Sequence, residues 1–258
     1  MWSWAMGMLA DLGRNLLFLK EVGSLGLRRG VSGHLVAQQI WKVSLQSMPT
    51  TALAGFFVGA IMTIQFTLQI RQFGALGYLG GLSTSGTIRE LGPLLIAFML
   101  SGKVGAFTSA ELATMRVTEQ IDAIRCLGAD PLREIILPRL IAIVISSFFL
   151  LALGLVASVG GGILLGYIFA GINPEEYLRH IPTLVSLSSV FMGLMKCFVF
   201  ALLLAAVCTY RGYTASGGAR GVGRAVVSTA VITMVGIVVA DFFTSILGEA
   251  MMSLLRRT

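Results

Sequence analysis

Four charged side chains stand where a strongly apolar chain offers them little water. Arg89 and Glu90 are adjacent in TIRELGPLL, Lys196 is alone in FMGLMKCFVFALLL, and Asp241 is alone in IVVADFFTSIL. A charge at the centre of a bilayer costs about 2.5–3.5 kcal/mol even on the mildest scale, so such residues face protein or water and mark functional sites by default. Three chemistries suit a buried Lys, an Arg and two carboxylates. They can hold an anionic headgroup, relay a proton, or serve as an ion pair that ties helices together. A fifth charge, Lys103 in SGKVG, reads as a long stem that snorkels to the inner interface.

The elements that must position these residues follow from composition. The chain has 258 residues, 56% hydrophobic and 12% charged, with mean hydropathy +0.87. Soluble domains average about a quarter charged residues, so the excess apolar surface needs a lipid solvent. A span takes about 20 apolar residues, and five segments qualify: 50–70, 88–112, 138–170, 181–210 and 225–250. The third is too long for an upright crossing, and Gly160-Gly161-Gly162 offers a place to bend. The expected fold is an all-α membrane protein with its membrane domain over 49–258. Residues 1–48 form a separate segment in which Val36, Ile40 and Val43 mark an amphipathic helix lying in the interface.

Lys and Arg excess sets orientation. With the N-terminus inside, the inner segments carry twelve Lys/Arg and the outer ones five. The N-terminus is therefore expected in the cytoplasm and the C-terminus in the periplasm. At 1.5 Å per residue, Lys196 then lies roughly 20 Å below residue 182 and Asp241 roughly 24 Å above residue 225. These depths overlap, which predicts a pair or a shared cavity. Arg89 and Glu90 fall at the outer mouth of the second span, with Pro93 in its first turn. Small residues recur at every fourth place: Gly55, Gly59 and Thr63; Ser101, Gly105, Ser109 and Ala113; Gly154, Ser158, Gly162, Gly166 and Ala170; Gly236, Ala240, Thr244 and Gly248. In lipid such seams let helix backbones approach, so a tight bundle is expected, with one interface to a second copy.

The longest charged stretch, 113–137, lies on the inner side. TMRVTEQIDAIRCLG reads as one short helix ending at Gly128, and Asp130-Pro131 supplies a cap and a first-turn proline for the next. Met115, Ile121, Ile124 and Leu127 form an apolar face for a partner. The chain has no P-loop, because Val104 follows Gly102-Lys103 and residue 97 is Ala. The Gly217–Gly223 loop lacks the strand–turn–helix setting of a dinucleotide fingerprint. His34 and His180 lie outside the spans with no nucleophile beside them, so catalysis is not expected. The basic residues lack the aromatic interleaving of a nucleic-acid groove. The three cysteines read as packing residues. A transporter powered by a separate ATPase, a proton-coupled carrier using Lys196 and Asp241, and a membrane scaffold all fit these residues.

RELGP (89–93), SGKVGAFTSAELATMRVTEQIDAIRCLGADPLREIILPR (101–139), MKCFVF (195–200) and the Asp of VADFF (239–243) resemble the MlaE/YrbE permeases. That resemblance implies a non-catalytic, multi-pass subunit of a bacterial inner-membrane ABC system. It implies a homodimer working with a cytoplasmic MlaF-like ATPase, which carries the ATP and Mg, with a periplasmic MlaD-like MCE protein, and with a MlaB-like STAS protein. Its cargo would be phospholipid or a related lipid, moved between the inner membrane and the MCE protein for outer-membrane asymmetry or lipid supply. It further implies that Arg89, Glu90, Lys196 and Asp241 line the lipid cavity. Glu119, Gln120, Asp122, Ile124, Arg125 and Leu127 would form the coupling helix that docks on the ATPase.

Overall fold

A computed structural model describes residues 13–25 and 30–255, which are almost entirely helical. Residues 1–12 and 26–29 of the N-terminal segment, and Arg256 and Arg257, lie outside the described residues. Five helical stretches are long and apolar enough to cross a membrane: Gly33–Phe73, Leu76–Val117, Leu132–Ala170, Leu187–Tyr213 and Gly218–Ala250.

In chain order, α1 occupies residues 13–25 and α2 runs Gly33–Ile70. The second stretch comprises α3 (Leu79–Gly86), α4 (Gly92–Leu100) and α5 (Ala106–Val117). These are joined end to end by wide π turns at Thr87–Leu91 and Ser101–Gly105. Short α6 (Gln120–Cys126) precedes α7 (Leu137–Leu165), which has π turns before it at Leu132–Ile136 and after it at Gly166–Ala170. The chain ends with α8 (Pro174–Arg179), α9 (Ile181–Leu184), α10 (Leu187–Tyr213) and α11 (Gly218–Leu255).

Several boundaries differ from those read in the sequence. α2 passes through Pro49 without a break, so residues 36–48 belong to the same helix as the first span. Proline removes one amide donor; nearby, the Thr50 hydroxyl donates to Ser47 O at 2.9 Å. The fourth span starts at Leu187, because Val185 is extended and ends α9. The helix is unbroken at Gly160-Gly161-Gly162, and these glycines serve contact instead. A Cβ on Gly161 would stand 2.0 Å from Phe56 O, and one on Gly162 would stand 2.2 Å from the Tyr177 hydroxyl oxygen.

The described residues sort into two compact units. The first draws on the described residues up to 43, with 101–146 and 201–236. Its core is Phe18 and Val22 of α1 against Leu112, Ile136 and Leu137. The Phe18 ring lies 5.6 Å from Tyr210 and 5.7 Å from Tyr213. A hydroxyl pair, Ser101–Thr233, joins the Ser101–Gly105 turn to α11. The second unit draws on 44–100, 147–200 and the described residues from 237 onward. Here the small-residue stripes of the first and third spans meet. Gly55 faces the Gly154 backbone and Gly59 the Ser158 carbonyl, with no room for a Cβ at either. Buried Tyr177 of α8 closes this unit, bonding to Thr63 at 2.9 Å, and Thr63 bonds to Ser83 at 3.0 Å.

Candidate functional site: a buried ammonium between two carboxylates

The site lies within the second unit and starts from a π turn. Pro93 follows Thr87–Leu91 and has no N–H to donate, so a regular α ladder cannot run through it. Gly92 N–H instead reaches five residues back to Thr87 O, the spacing of a π bond. Arg89 and Glu90 sit in this turn. They lie inside a long helical stretch that begins well before the apolar run, so they do not mark a helix start.

Gly193 allows α10 to approach the turn closely: a Cβ there would stand 2.5 Å from Ile88 O. One turn further along the same face, Lys196 meets Glu90. α11 completes the site with residues at i, i+4 and i+7. Asp241 Oδ1 lies 2.9 Å from the Lys196 ammonium, Ser245 Oγ accepts from it at 2.8 Å, and Gly248 packs on Met192. Ser245 Oγ also donates to Glu90 Oε2 at 3.4 Å.

Lys196 is fully buried, with its side chain 1% exposed. An ammonium has three N–H donors and no acceptor, and three oxygen partners surround it here. Burying one lysine against two carboxylates leaves the trio with a formal charge of −1. Glu90 is half exposed and Asp241 less so, so the negative face of the trio is the one that meets the surroundings. Arg89 points to different company, 3.7 Å from Glu249 on α11, in a contact open enough for either partner to exchange. The structure thus joins Glu90, Lys196 and Asp241 in one cluster and places Arg89 beside it on the chain with a separate partner. Sequence reasoning missed Ser245 and Glu249. Their spacing of four and eight residues from Asp241 was the available signal, since those positions share its helix face.

The stretch expected to engage a partner lies in the first unit. It is two helices, not one: the chain breaks at Thr118, and Glu119 adopts φ 61, a left-handed conformation rare for a residue with a side chain. The predicted end at Gly128 (φ 79) holds, with Gly128 N–H to Arg125 O at 2.9 Å and Ala129 N–H to Ile124 O at 3.2 Å. Asp130 caps the next helix by accepting from Leu132 N–H at 3.0 Å. The break turns Ile121 inward, where it is buried, so it does not join a docking face. Glu119, Gln120, Arg125 and Leu127 are exposed, while Asp122 and Ile124 are half-buried. Arg116 grips Asp122 with one nitrogen at 2.7 and 2.8 Å from its two oxygens, and Arg125 donates to the Tyr213 hydroxyl.

A second ionic cluster fixes α5. Glu111 Oε1 takes Lys42 at 3.1 Å and Arg139 at 3.2 Å. Arg139 is buried, and Lys42 also lies 4.8 Å from the Phe107 ring centre. Lys103, in the Ser101–Gly105 turn, is half-buried.

The family described as Permease MlaE matches residues 36–247, which include Glu90, Lys196, Asp241 and all of α5 and α6. The chain belongs to the MlaE permease family. A "Probable ABC transporter permease protein" of Rickettsia felis is 33% identical over 239 residues, covering 89% of this chain and 92% of the relative. A protein of the same description from Synechocystis sp. is 34% identical over 208 residues, 81% of this chain and 79% of the relative. Protein trigalactosyldiacylglycerol 1, chloroplastic, of Arabidopsis thaliana is 31% identical over 248 residues, 89% of this chain and 71% of the relative. With five membrane-capable helices, this MlaE permease is a multi-pass membrane protein, a transport subunit rather than a catalytic one.

Proposed function

We propose that this MlaE-family chain is the membrane subunit of an ABC transporter that moves phospholipids or related lipids between the inner membrane and a periplasmic MCE protein. That traffic maintains outer-membrane lipid asymmetry or lipid supply. Two copies enclose the lipid, a cytoplasmic ATPase supplies the power, and a STAS-domain protein accompanies it. The ABC permease names of the relatives support the separate ATPase, and the glycolipid in the name of the Arabidopsis relative supports a lipid cargo. The cytoplasmic N-terminus rests on the distribution of Lys and Arg.

The observation that carries this reading is the fully buried Lys196, held by two carboxylates inside membrane-spanning helices. Its ammonium already donates to Glu90 and Ser245 and pairs with Asp241, so Lys196 acts as the clasp of the cavity wall. Arg89, with a long contact to exposed Glu249, is the cation able to leave its partner for a lipid phosphate, which an arginine fork matches well. Glu119, Gln120, Asp122, Ile124, Arg125 and Leu127 carry the ATPase stroke to α5.

The test is lipid transfer between vesicles by the assembled complex carrying Arg89→Glu. Transfer is expected to collapse while the complex still assembles and hydrolyses ATP. Unchanged transfer by a fully assembled Arg89→Glu complex would remove Arg89 from headgroup recognition.

A further inference from the structure

The turn that joins α10 to α11, in YRGYTASGGARGVGR (210–224), forms an open bowl of about 290 Å³ lined by Arg211, Thr214, Ser216, Arg224 and Ser228. Gly217 (φ 93) and Gly218 (φ 65) supply left-handed backbone that tightens the turn. A Cβ on Gly221 would stand 2.0 Å from Ser216 O, so the start of α11 lies directly against the loop. Arg224 does not extend away: its Nη2 lies 3.1 Å from where a Cβ of Gly217 would be. The bowl therefore gathers guanidinium groups from the end of one helix and the first turns of the next.

No lining residue is acidic, and the chain has no Asp or Glu between Glu176 and Asp241. The Thr214 hydroxyl donates to Tyr210 O at 2.8 Å and the Ser228 hydroxyl to Ala225 O at 3.1 Å, so both are anchored by their own helices. Among the described residues, neither Arg224 nor the Ser216 hydroxyl has a polar partner. Arg224 is therefore a guanidinium available to an anion on a concave surface that carries no carboxylate, and planar guanidinium groups match phosphate oxygens two at a time. The volume lies at or below the lower limit of about 300 Å³ for pockets that enclose drug-sized ligands. That leaves room for a phosphate and a small substituent.

We infer that this bowl binds a phosphate group, presented either as a phospholipid headgroup or as free phosphate. It is separate from the Lys196 cluster. It lies near α6, since Arg125 of α6 bonds to Tyr213 just before the turn. Occupancy therefore bears on the stretch that we assign to coupling, while the inference itself does not depend on the transport reading.

The full chain is placed in nanodiscs of phosphatidylcholine, with and without phosphatidylglycerol. It is then titrated with inorganic phosphate against chloride at matched ionic strength. Thermal unfolding reports stabilisation, and native mass spectrometry counts retained lipid. Stabilisation by inorganic phosphate in phosphatidylcholine discs supports the site with a soluble source. Stabilisation by phosphatidylglycerol alone supports it with a lipid source. In either case Arg224→Gln lowers apparent affinity about tenfold, the worth of a charged hydrogen-bond pair. Arg224→Lys loses less, and Arg220→Gln, outside the bowl, changes nothing. Melting of each variant without ligand confirms that it is folded. The proposal is overturned if neither ligand stabilises the protein, or if Arg224→Gln responds like Arg220→Gln. Where phosphatidylglycerol alone stabilises the protein, it also falls if the retained lipid disappears in Arg89→Glu but persists in Arg224→Gln.

Discussion

The Lys196 ammonium lies 2.9 Å from Asp241 Oδ1, so two opposite charges set deep in apolar helices neutralise each other across α10 and α11. Glu90 joins them from the π turn, which makes the three mutually dependent. Removing one member of a buried ion pair costs about 3–5 kcal/mol when the other charge is stranded. Both carboxylates have some access to solvent, so Lys196→Met is expected near the lower end, about 3 kcal/mol. Glu90→Gln and Asp241→Asn each leave Lys196 one carboxylate and should cost about 1–2 kcal/mol. The double variant strands the ammonium and should lose at least 1 kcal/mol more than the sum. Thermal unfolding in detergent of the four proteins checks this, and simple additivity would show that the trio is not a unit.

At the contact between α2 and α7, a Cβ on Gly59 would stand 1.8 Å from Ser158 O, whereas Gly160 has open space. Backbone atoms cannot move aside as a flexible side chain can. Gly59→Ala should therefore destabilise the protein by about 1–3 kcal/mol, the usual cost of overpacking. Gly160→Ala should be neutral or gain up to about 1 kcal/mol from helix propensity. The same unfolding assay separates them, and equal melting of the two variants would contradict the observed approach.

Among the described residues, Glu111 is the only acidic partner of Arg139, which is buried. Glu111→Ala should cost about 3 kcal/mol by stranding that guanidinium. Lys42→Ala, at a contact about one-third exposed, should cost less than about 1 kcal/mol. A Lys42→Ala protein that melts as low as Glu111→Ala would reverse the ranking of the two partners.

The seams and the central pair were readable because each rests on one periodicity. Gly55 and Gly59 of the first span, and Gly154, Ser158 and Gly162 of the third, recur at helical spacing, and Lys196 and Asp241 are charges whose depth follows from a fixed rise per residue. The π turn at Thr87–Leu91 was not readable. An i+5 bond differs from an i+4 bond by one residue, and Pro93 suits a helix start as well as a local widening, so Arg89 and Glu90 read as a helix start. The break at Glu119 was hidden for a related reason. Nothing in TMRVTEQIDAIR favours a left-handed residue there, and tertiary packing of Ile121 imposes it. Continuity of α2 through Pro49 is likewise a packing outcome, since local rules place a helix boundary beside proline.

The Arg116–Asp122 clasp bridges that break, tying the last turn of α5 to the first turn of α6. Both side chains are partly exposed, so the clasp adds little to stability, about 1 kcal/mol or less. Its consequence is orientation: without it, α6 keeps the buried anchor of Ile121 but loses its fixed angle to α5. Asp122→Ala should therefore melt within a few degrees of the parent, while ATP-dependent lipid transfer by the assembled complex falls about tenfold, as expected when a positioning contact is lost. ATP hydrolysis should continue, so the ratio of lipid moved to ATP consumed is the deciding measurement. Asp122→Glu, which keeps the charge on a longer arm, should recover part of that ratio. A constant ratio across Asp122→Ala, Asp122→Glu and the parent would mean that α6 transmits no force through this clasp.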